Sequence, residues 1–465
     1  MNGDAANPNV HTMRHPARAW AFACLALAVI LSPGCTTPFE RHRDHVAALF
    51  AQGRYDQIAI ELDNPENRDR YGEKNQLLWW LDRGAAALAL GDTQTTIETL
   101  ERAEDFMDVF REKSTADKLG QWLINDTAAP YIGEPYEDMY VNVFKLLAQL
   151  EAGNIEGGAT VEARRMAGKA DVLRDRYLRF KDTVVKQAKD GAGAAPTVVR
   201  GATAEEGEFI ESPLGTYLAA LTFLKSGDDE MHAVASRRLL TAIEAQGGLI
   251  GPVRKEPFES IEQLRPQDVN VLVVALSGRG PRKEPRRIGP IPIFAWPVYF
   301  ELPELVGGVA EAAGARVAFD DGTSVDLALI EDMRRVATVN HERQLPLIYT
   351  RTYIRSSAKA ATAFALTKTW EAGSSRGSER AAAAIVGTLA GLAFVGLTEK
   401  ADLRCWELLP ALAHVGVVKL PPGERNARVE YLSATGGVIY AGPWTSIAAG
   451  DRPTDLFTIV EHYWQ

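Results

Sequence analysis

The chain has 465 residues, 46% of them hydrophobic and 24% charged, with a formal net charge of −10. Those proportions describe a globular protein with room for two or three domains. The acidic balance argues against a nucleic-acid partner, because gripping phosphates needs a net basic face.

Near the start, "HPARAWAFACLALAVILSPGC" follows Arg14 and sets His15 and Arg18 ahead of an apolar core from Ala19 to Leu31. Small or turn-forming residues then lead to Cys35. This is the charged, apolar, small-residue order of a secretory signal peptide. Its core is shorter than the roughly 20 residues of a membrane-spanning helix. The end of the run resembles the lipobox of bacterial lipoproteins, in which a small residue precedes a cysteine that is acylated and becomes the new N-terminus. Leu31, Gly34 and Cys35 match it, whereas Ser32 and Pro33 stand where it prefers an aliphatic and then a small residue. The resemblance implies that residues 1–34 are cleaved as a lipoprotein signal peptide and that Cys35 is lipidated, several acyl chains together anchoring the chain to a membrane. Thr36, where inner-membrane retention signals usually have Asp, implies a periplasm-facing outer-membrane address. Of Cys24, Cys35 and Cys405, one thiol then remains in the mature chain and no disulfide forms. A plain secreted chain with a buried thiol is the alternative.

From Arg41 to about Lys189 apolar residues recur at spacings of three and four, which predicts helices, and residues 35–189 read as a helical repeat-like domain. One pattern occurs three times: "AAALALGD" ending at Asp92, "LAQLEAGN" at Asn154 and "LTFLKSGD" at Asp228. Each predicts an apolar helix stopped by a glycine, with a polar residue to start the next helix. Within "LLWWLDRGAAALALGDTQTTIETLERAED", Trp80, Gly84 and Ala103 stand where the tetratricopeptide repeat wants an aromatic and two small residues. The unit resembles that repeat; an unrelated helical bundle with Gly-Asp turns is the alternative. In "YIGEPYEDMYVNVFKLLAQLEAGN", Pro135 suits a helix start, and Glu134, Glu137 and Asp138 suit its positive end. Tyr136 and Tyr140 lie one turn apart. This acidic start is expected to face Arg164 and Arg165 on the next, antiparallel helix. The Ala-, Gly- and Pro-rich 190–207 reads as a linker, and 208–267 as a further helical hairpin opened by Ser212 and Pro213.

From 268 the texture turns β-rich, and 268–465 reads as a mixed α/β to β-rich C-terminal domain. "DVNVLVVALSG", "VYFELPEL" and "ARVAFDDGTSVDL" read as strands, the last with Asp321 and Gly322 in hairpin position. "HVGVVKLPPGERNARVEYLSATGGVIYAG" reads as antiparallel strands joined by Pro-Gly and Gly-Gly turns. The expected class is therefore a multidomain α+β protein, a tetratricopeptide-like helical array followed by a mixed C-terminal domain.

"ADLRCWELLPALAHVGVVKLPPGE", with "SPLGTYLAALTFLKSGD" and "YEDMYVNVFKLLAQLEAGN", resembles a family of bacterial periplasmic lipoproteins with tetratricopeptide-like helices and no established biochemical activity. The resemblance implies cell-envelope work, beside lipoproteins that activate peptidoglycan synthases, and hands over no catalytic residue. Its motif positions include Tyr136, Glu137, Asp402, Arg404, Trp406 and Pro410. An arginine beside a large aromatic and an aspartate is expected to stack and pair at a domain junction, locking the fold; a ligand cradle around Trp406 is the sharper alternative.

Two basic features could bind something. "GRGPRKEPRRIGP" places Arg279, Arg282, Lys283, Arg286 and Arg287 in a proline-stiffened loop, and "RTYIRSSAK" sets Arg351, Arg355 and Lys359 on one helical face. They suit peptidoglycan carboxylates, lipopolysaccharide phosphates or an acidic protein face; a solvated charge run is the plainer reading. The charge-free run Ala381 to Leu397 reads as a buried core helix, with membrane contact or a full span as the alternatives. "GSSRG" fits the nucleophile-elbow pattern around Ser375 only in letters, because helical texture precedes it. No catalytic residue, metal or cofactor is expected. The sequence thus points to a lipid-anchored, non-catalytic scaffold with an envelope protein partner. The alternative is a peptidoglycan- or lipopolysaccharide-binding module.

Overall fold

The computed structural model describes residues 37–112, 129–191, 211–246, 254–293, 296–373, 377 and 400–465. Cys35 with the signal-like segment, most of the 190–207 linker, Ser375 and the 381–397 run lie outside the described residues. The protein mixes helix and sheet, and it divides into two compact units. The larger holds Thr36–Pro285, Pro303–Thr350 and Asp402–Gln465, and the smaller includes Arg286–Leu302 and Arg351–Ala401.

The larger unit opens with α1 (Pro38–Ala51), whose N-terminus is closed by a reciprocal capping box between Thr37 and Glu40. Then come α2 (Tyr55–Asp63), α3 (Pro65–Tyr71), α4 (Gln76–Ala89) and α5 (Thr93–Glu112). The last two form a tight hairpin. Gly84 of α4 lies so close to α5 that a Cβ there would stand 2.5 Å from Leu100 Cδ2. α6 (Pro135–Glu151) starts behind Glu134, which forms a capping box with Glu137, and almost all of its side chains are buried. A π-helical turn, Ile155–Ala159, leads into α7 (Thr160–Gly191). Ser212 caps α8 (Pro213–Ser226) by accepting from the Gly215 amide, and α9 (Asp229–Gln246) follows. Gly91, Gly153 and Gly227, the three expected stops, all have positive φ, the conformation that glycine reaches at least cost.

The strands of this unit are β1 (Val271–Ser277), β4 (Gly314–Phe319), β5 (Ser324–Asp332), β6 (Leu412–Val418), β7 (Gly423–Leu432), β8 (Val438–Ala441), β9 (Thr445–Ala449) and β10 (Phe457–Tyr463), while β2 (Arg282–Ile293) and β3 (Trp296–Val306) stand apart as a two-stranded sheet. The eight strands run in the order β10-β1-β6-β5-β4-β7-β8, with β9 also on β7. β1 and β10 are parallel, Val271 opposite Phe457, and β1 and β6 are antiparallel, Val274 opposite Val415. The sheet curls, so that the Tyr431 hydroxyl of β7 donates to the carbonyls of Leu276 on β1 and Glu461 on β10. Alternation then serves two cores. Val271, Val273 and Ala275 face an inner one with Val317, Val429 and Ile447. Leu272, Val274 and Leu276 face the helices, in one core with Phe144, Leu218, Trp406 and Trp464.

Two expectations need correction here. The Pro-Pro-Gly segment does join β6 to β7, but these strands do not pair: β6 lies between β1 and β5, and β7 beside β4. The proline-stiffened loop is strand β2, which tolerates its prolines because, among the described residues, it pairs on one side only, with β3. α10 (Met333–Glu342) follows β5 with Asp332 as its cap, and α11 (Leu345–Gly373) comes next. In the smaller unit, Val298 of β3 packs with Ala360 and Ala363 of α11. No described helix is long and apolar enough to cross a membrane.

Candidate functional site

The motif residues converge. The extended segment 402–410 lies against the helices, and its backbone is held by side chains. The Trp406 amide donates to Glu137 Oε1 at 2.6 Å, and the Arg404 carbonyl accepts from Lys283 Nζ at 3.1 Å. Arg43 of α1 reaches the Cys405 carbonyl and lies 3.3 Å from Glu407. Trp406 is fully buried, its ring edge-on to Phe144 with centroids 5.2 Å apart. Pro410 is buried as the chain turns into β6.

Arg404 pairs with Asp402 in a fork, at 2.8 and 2.6 Å, as the sequence leads one to expect. It also donates to the carbonyl of Ala129 and to Asn75 Oδ1. Its guanidinium stands over the Tyr131 ring, 5.3 Å from the centroid, rather than on Trp406. The Tyr131 hydroxyl donates to Glu137 Oε2 at 2.7 Å, and the Glu134 amide donates to the same oxygen. Lys283 closes the group by pairing with Glu134. Tyr136 is buried in the same region.

Burial sets the electrostatics of this cluster. It raises the Glu137 carboxyl, helped by Glu134. Burial opposes charge on Lys283, but Glu134 and Asp402 outweigh it and hold the ammonium above the ordinary lysine value. Asp82, hydrogen-bonded by the Tyr71 hydroxyl, is pushed up to about 7 by burial against the pull of Arg43. Burial and Glu407 push the Cys405 thiol far up, so it is no thiolate at neutral pH and offers no nucleophile. Charge, fork and cation–π contacts all turn inward, the arrangement of a clamp on the segment.

The acidic start of α6 finds other partners than Arg164 and Arg165. α7 runs back along α6 after a short connection, so position 138 lies opposite later turns of α7. Asp138 accordingly pairs with Lys169 at 2.6 Å and Arg176 at 2.9 Å. Arg165 instead meets Glu101, Glu104 and Glu162, and Arg164 meets Asp228. Glu101, Glu104 and Glu162 hold ligand oxygens within 4.8 Å of one another, a spacing that suits a cation. The Lys145 ammonium sits among them, 2.8 Å from Glu104 and 3.0 Å from Glu162, and Lys169 adds a second positive charge.

The basic candidates separate. Arg279, Arg282, Arg286 and Arg287 are exposed, Arg282 paired with Glu284 and Arg287 placed over the Tyr299 ring at 4.4 Å. Lys283 is buried in the clamp, because alternation along β2 turns it inward. Arg351 and Lys359 are half-buried, but Arg355 is buried beside Thr352, Ser356 and Ala360 on the covered face of α11. The solvent-facing stripe is therefore corrected: its middle residue points into the protein.

Sequence reading missed Arg43, Asp82 and Tyr131, whose local patterns are those of ordinary helix and loop residues. It also missed Glu331, fully buried on β5. Glu331 accepts from the Tyr140 hydroxyl at 2.5 Å, the Ser212 hydroxyl at 2.6 Å and the Leu214 amide at 2.7 Å. A bulge between Leu329 and Glu331 aims it there, a displacement that no local residue pattern announces. Compared with known proteins, the chain matches no protein-family model, no curated protein and no solved structure.

Proposed function

We propose that this protein is a lipid-anchored component of a bacterial cell envelope that works as a non-catalytic scaffold for another protein, a member of the periplasmic lipoprotein family its motifs resemble. The observation that carries the reading is the spacing of anchor and body. The lipobox-like run ends at Cys35, and the Thr37 capping box starts α1 two residues later. Acylation of Cys35 would hold α1 at the membrane surface with almost no tether. The close contact of α4 and α5 at Gly84 supports reading that hairpin as repeat-like.

The clamp narrows where a client docks. The helical face around Glu137, Arg43 and Asn75 is covered by the chain's own residues 402–410. A client would use the other side of the hairpin, where Trp80 and Phe106 are half-buried edge to edge and Val109 is 44% exposed. A second reading, a module for cell-wall or lipopolysaccharide anions, draws on exposed Arg279, Arg282, Arg286 and Arg287.

Photo-crosslinking in intact cells from positions 80 and 286, with mass spectrometry of the products, separates the two. Cys35→Ala controls for the anchor. A discrete protein captured at 80 and lost in Cys35→Ala is the expected result. Glycan or lipopolysaccharide captured at 286 alone, with binding abolished by moderate salt, would replace the scaffold with the binding module.

A further inference from the structure

The last turn of α8 drives one side chain into a place built of backbone oxygens. Lys225 is 1% exposed, and its Nζ donates toward four carbonyls: Pro266 at 2.7 Å, Pro453 and Asp455 at 2.9 Å each, and Val269. These oxygens come from two turns distant in sequence, one leading into β1 and the other into β10. The two strands start side by side in parallel, and the Phe457 amide donates to the Asn270 carbonyl between the same turns at 2.8 Å. A single ammonium thus fastens the starting ends of two neighbouring strands to the C-terminus of a helix, whose dipole favours positive charge.

The coordination is better suited to a spherical cation than to a lysine. An ammonium has three hydrogens and meets four acceptors, so it cannot give each its own bond. The ring is made of neutral carbonyls. The nearby Asp455 carboxylate is occupied by the Arg452 amide and guanidinium at 2.9 and 3.0 Å. Divalent-ion sites draw on carboxylates for charge, whereas rings of carbonyls replace the hydration shell of potassium. We propose that this ring is a monovalent-cation site whose ion is supplied by the chain itself, and that once the Lys225 ammonium is removed it binds potassium or ammonium ion.

Two variants of the full chain test this. Lys225→Ala frees the ring, and Lys225→Met fills the approach with an apolar chain that admits no ion. Thermal unfolding is followed in potassium, ammonium and choline chlorides at equal ionic strength. In Lys225→Ala, Tm is expected to fall below wild type and to climb with potassium or ammonium in a saturable way, as binding to the native state requires. Wild type and Lys225→Met should show no preference among the cations. The same response to choline in Lys225→Ala, or no recovery with any cation, overturns the proposal. The wild-type protein gives an independent check through lysine acylation read by mass spectrometry. Protection of Lys225 while surface lysines react supports the caged ammonium, and equal labelling of Lys225 overturns it even where neither variant folds.

Discussion

Glu331 shows how a single buried group sets pH dependence. Among the described residues it has three donors and no paired cation, and burial, helped by Asp332, pushes it up to about 7. Native protein therefore holds a proton that the unfolded chain releases above the ordinary glutamate value of 4.5. The resulting stabilisation is complete below that value and is lost as pH rises through 7. At 1.36 kcal/mol per pH unit it amounts to about 3 kcal/mol. His414 works in the opposite direction. It is buried on β6 without a hydrogen-bond partner among the described residues, and burial lowers it from 6.5 to about 4, so its stabilisation is complete above 6.5 and lost as pH falls through 4. Glu331→Gln keeps the shape and removes the titration. The variant should be less stable than wild type by about 1–3 kcal/mol at pH 5, because one donor then faces an amide. The gap should narrow by on the order of 2 kcal/mol by pH 8, where wild type has released its proton. Urea unfolding at several pH values reads this directly, and a gap that ignores pH would remove Glu331 as the titrating group.

The α4–α5 hairpin makes a sharp demand on sequence. In isolation Gly84→Ala would favour helix by about 1 kcal/mol. Here the new Cβ would stand 2.5 and 2.7 Å from Leu100 Cδ2 and Cγ, and Leu100 is fully buried. Overpacking should win, for a net loss of about 1–2 kcal/mol. Adding Leu100→Ala should recover part of it, a coupling that a double-mutant cycle measures; strict additivity would mean the helices do not meet at Gly84. This contact was legible because tetratricopeptide spacing asks for a small residue there. The glycine stops at 91, 153 and 227 were legible for the same kind of reason, since a positive φ is a local requirement. What was not legible is who pairs with whom. Turn residues announce that the chain bends after β6, yet β7 joins β4, and only the packed sheet decides that. The acidic start of α6 was readable as a helix terminus, but its partners Lys169 and Arg176 follow from how far α7 runs back along it. Lys283 read as one charge of an exposed loop because nothing near it in sequence supplies Glu134.

A boundary at residue 268 is natural to the sequence, since helical texture gives way to strands there, but the larger unit does not come apart at that point. "VLVVAL" in β1 carries the reason: an uninterrupted apolar run needs cover on both faces. Its even-numbered residues find that cover among helices that precede 268, in a core that also takes in Ile330, Val415 and Trp464 from far beyond it. The clamp adds polar ties across the same line, Glu137 to the Trp406 amide and Arg43 to the Cys405 carbonyl. Glu331 and Lys225 add two more, each set among donors or acceptors from the opposite side. A fragment ending at residue 267 would expose the helix faces that β1, β6 and Trp406 cover, and it would leave Glu137, Arg43 and Lys225 short of partners. Buried charge without a partner costs several kcal/mol, and a domain's whole stability is only about 5–15 kcal/mol. Expressed alone, residues 36–267 should keep helical far-ultraviolet dichroism while losing near-ultraviolet structure and cooperative melting, and they should bind a hydrophobic dye. A sharp melt with full near-ultraviolet signal would instead mean that the helices form a domain of their own and that the shared core is a docking surface between two.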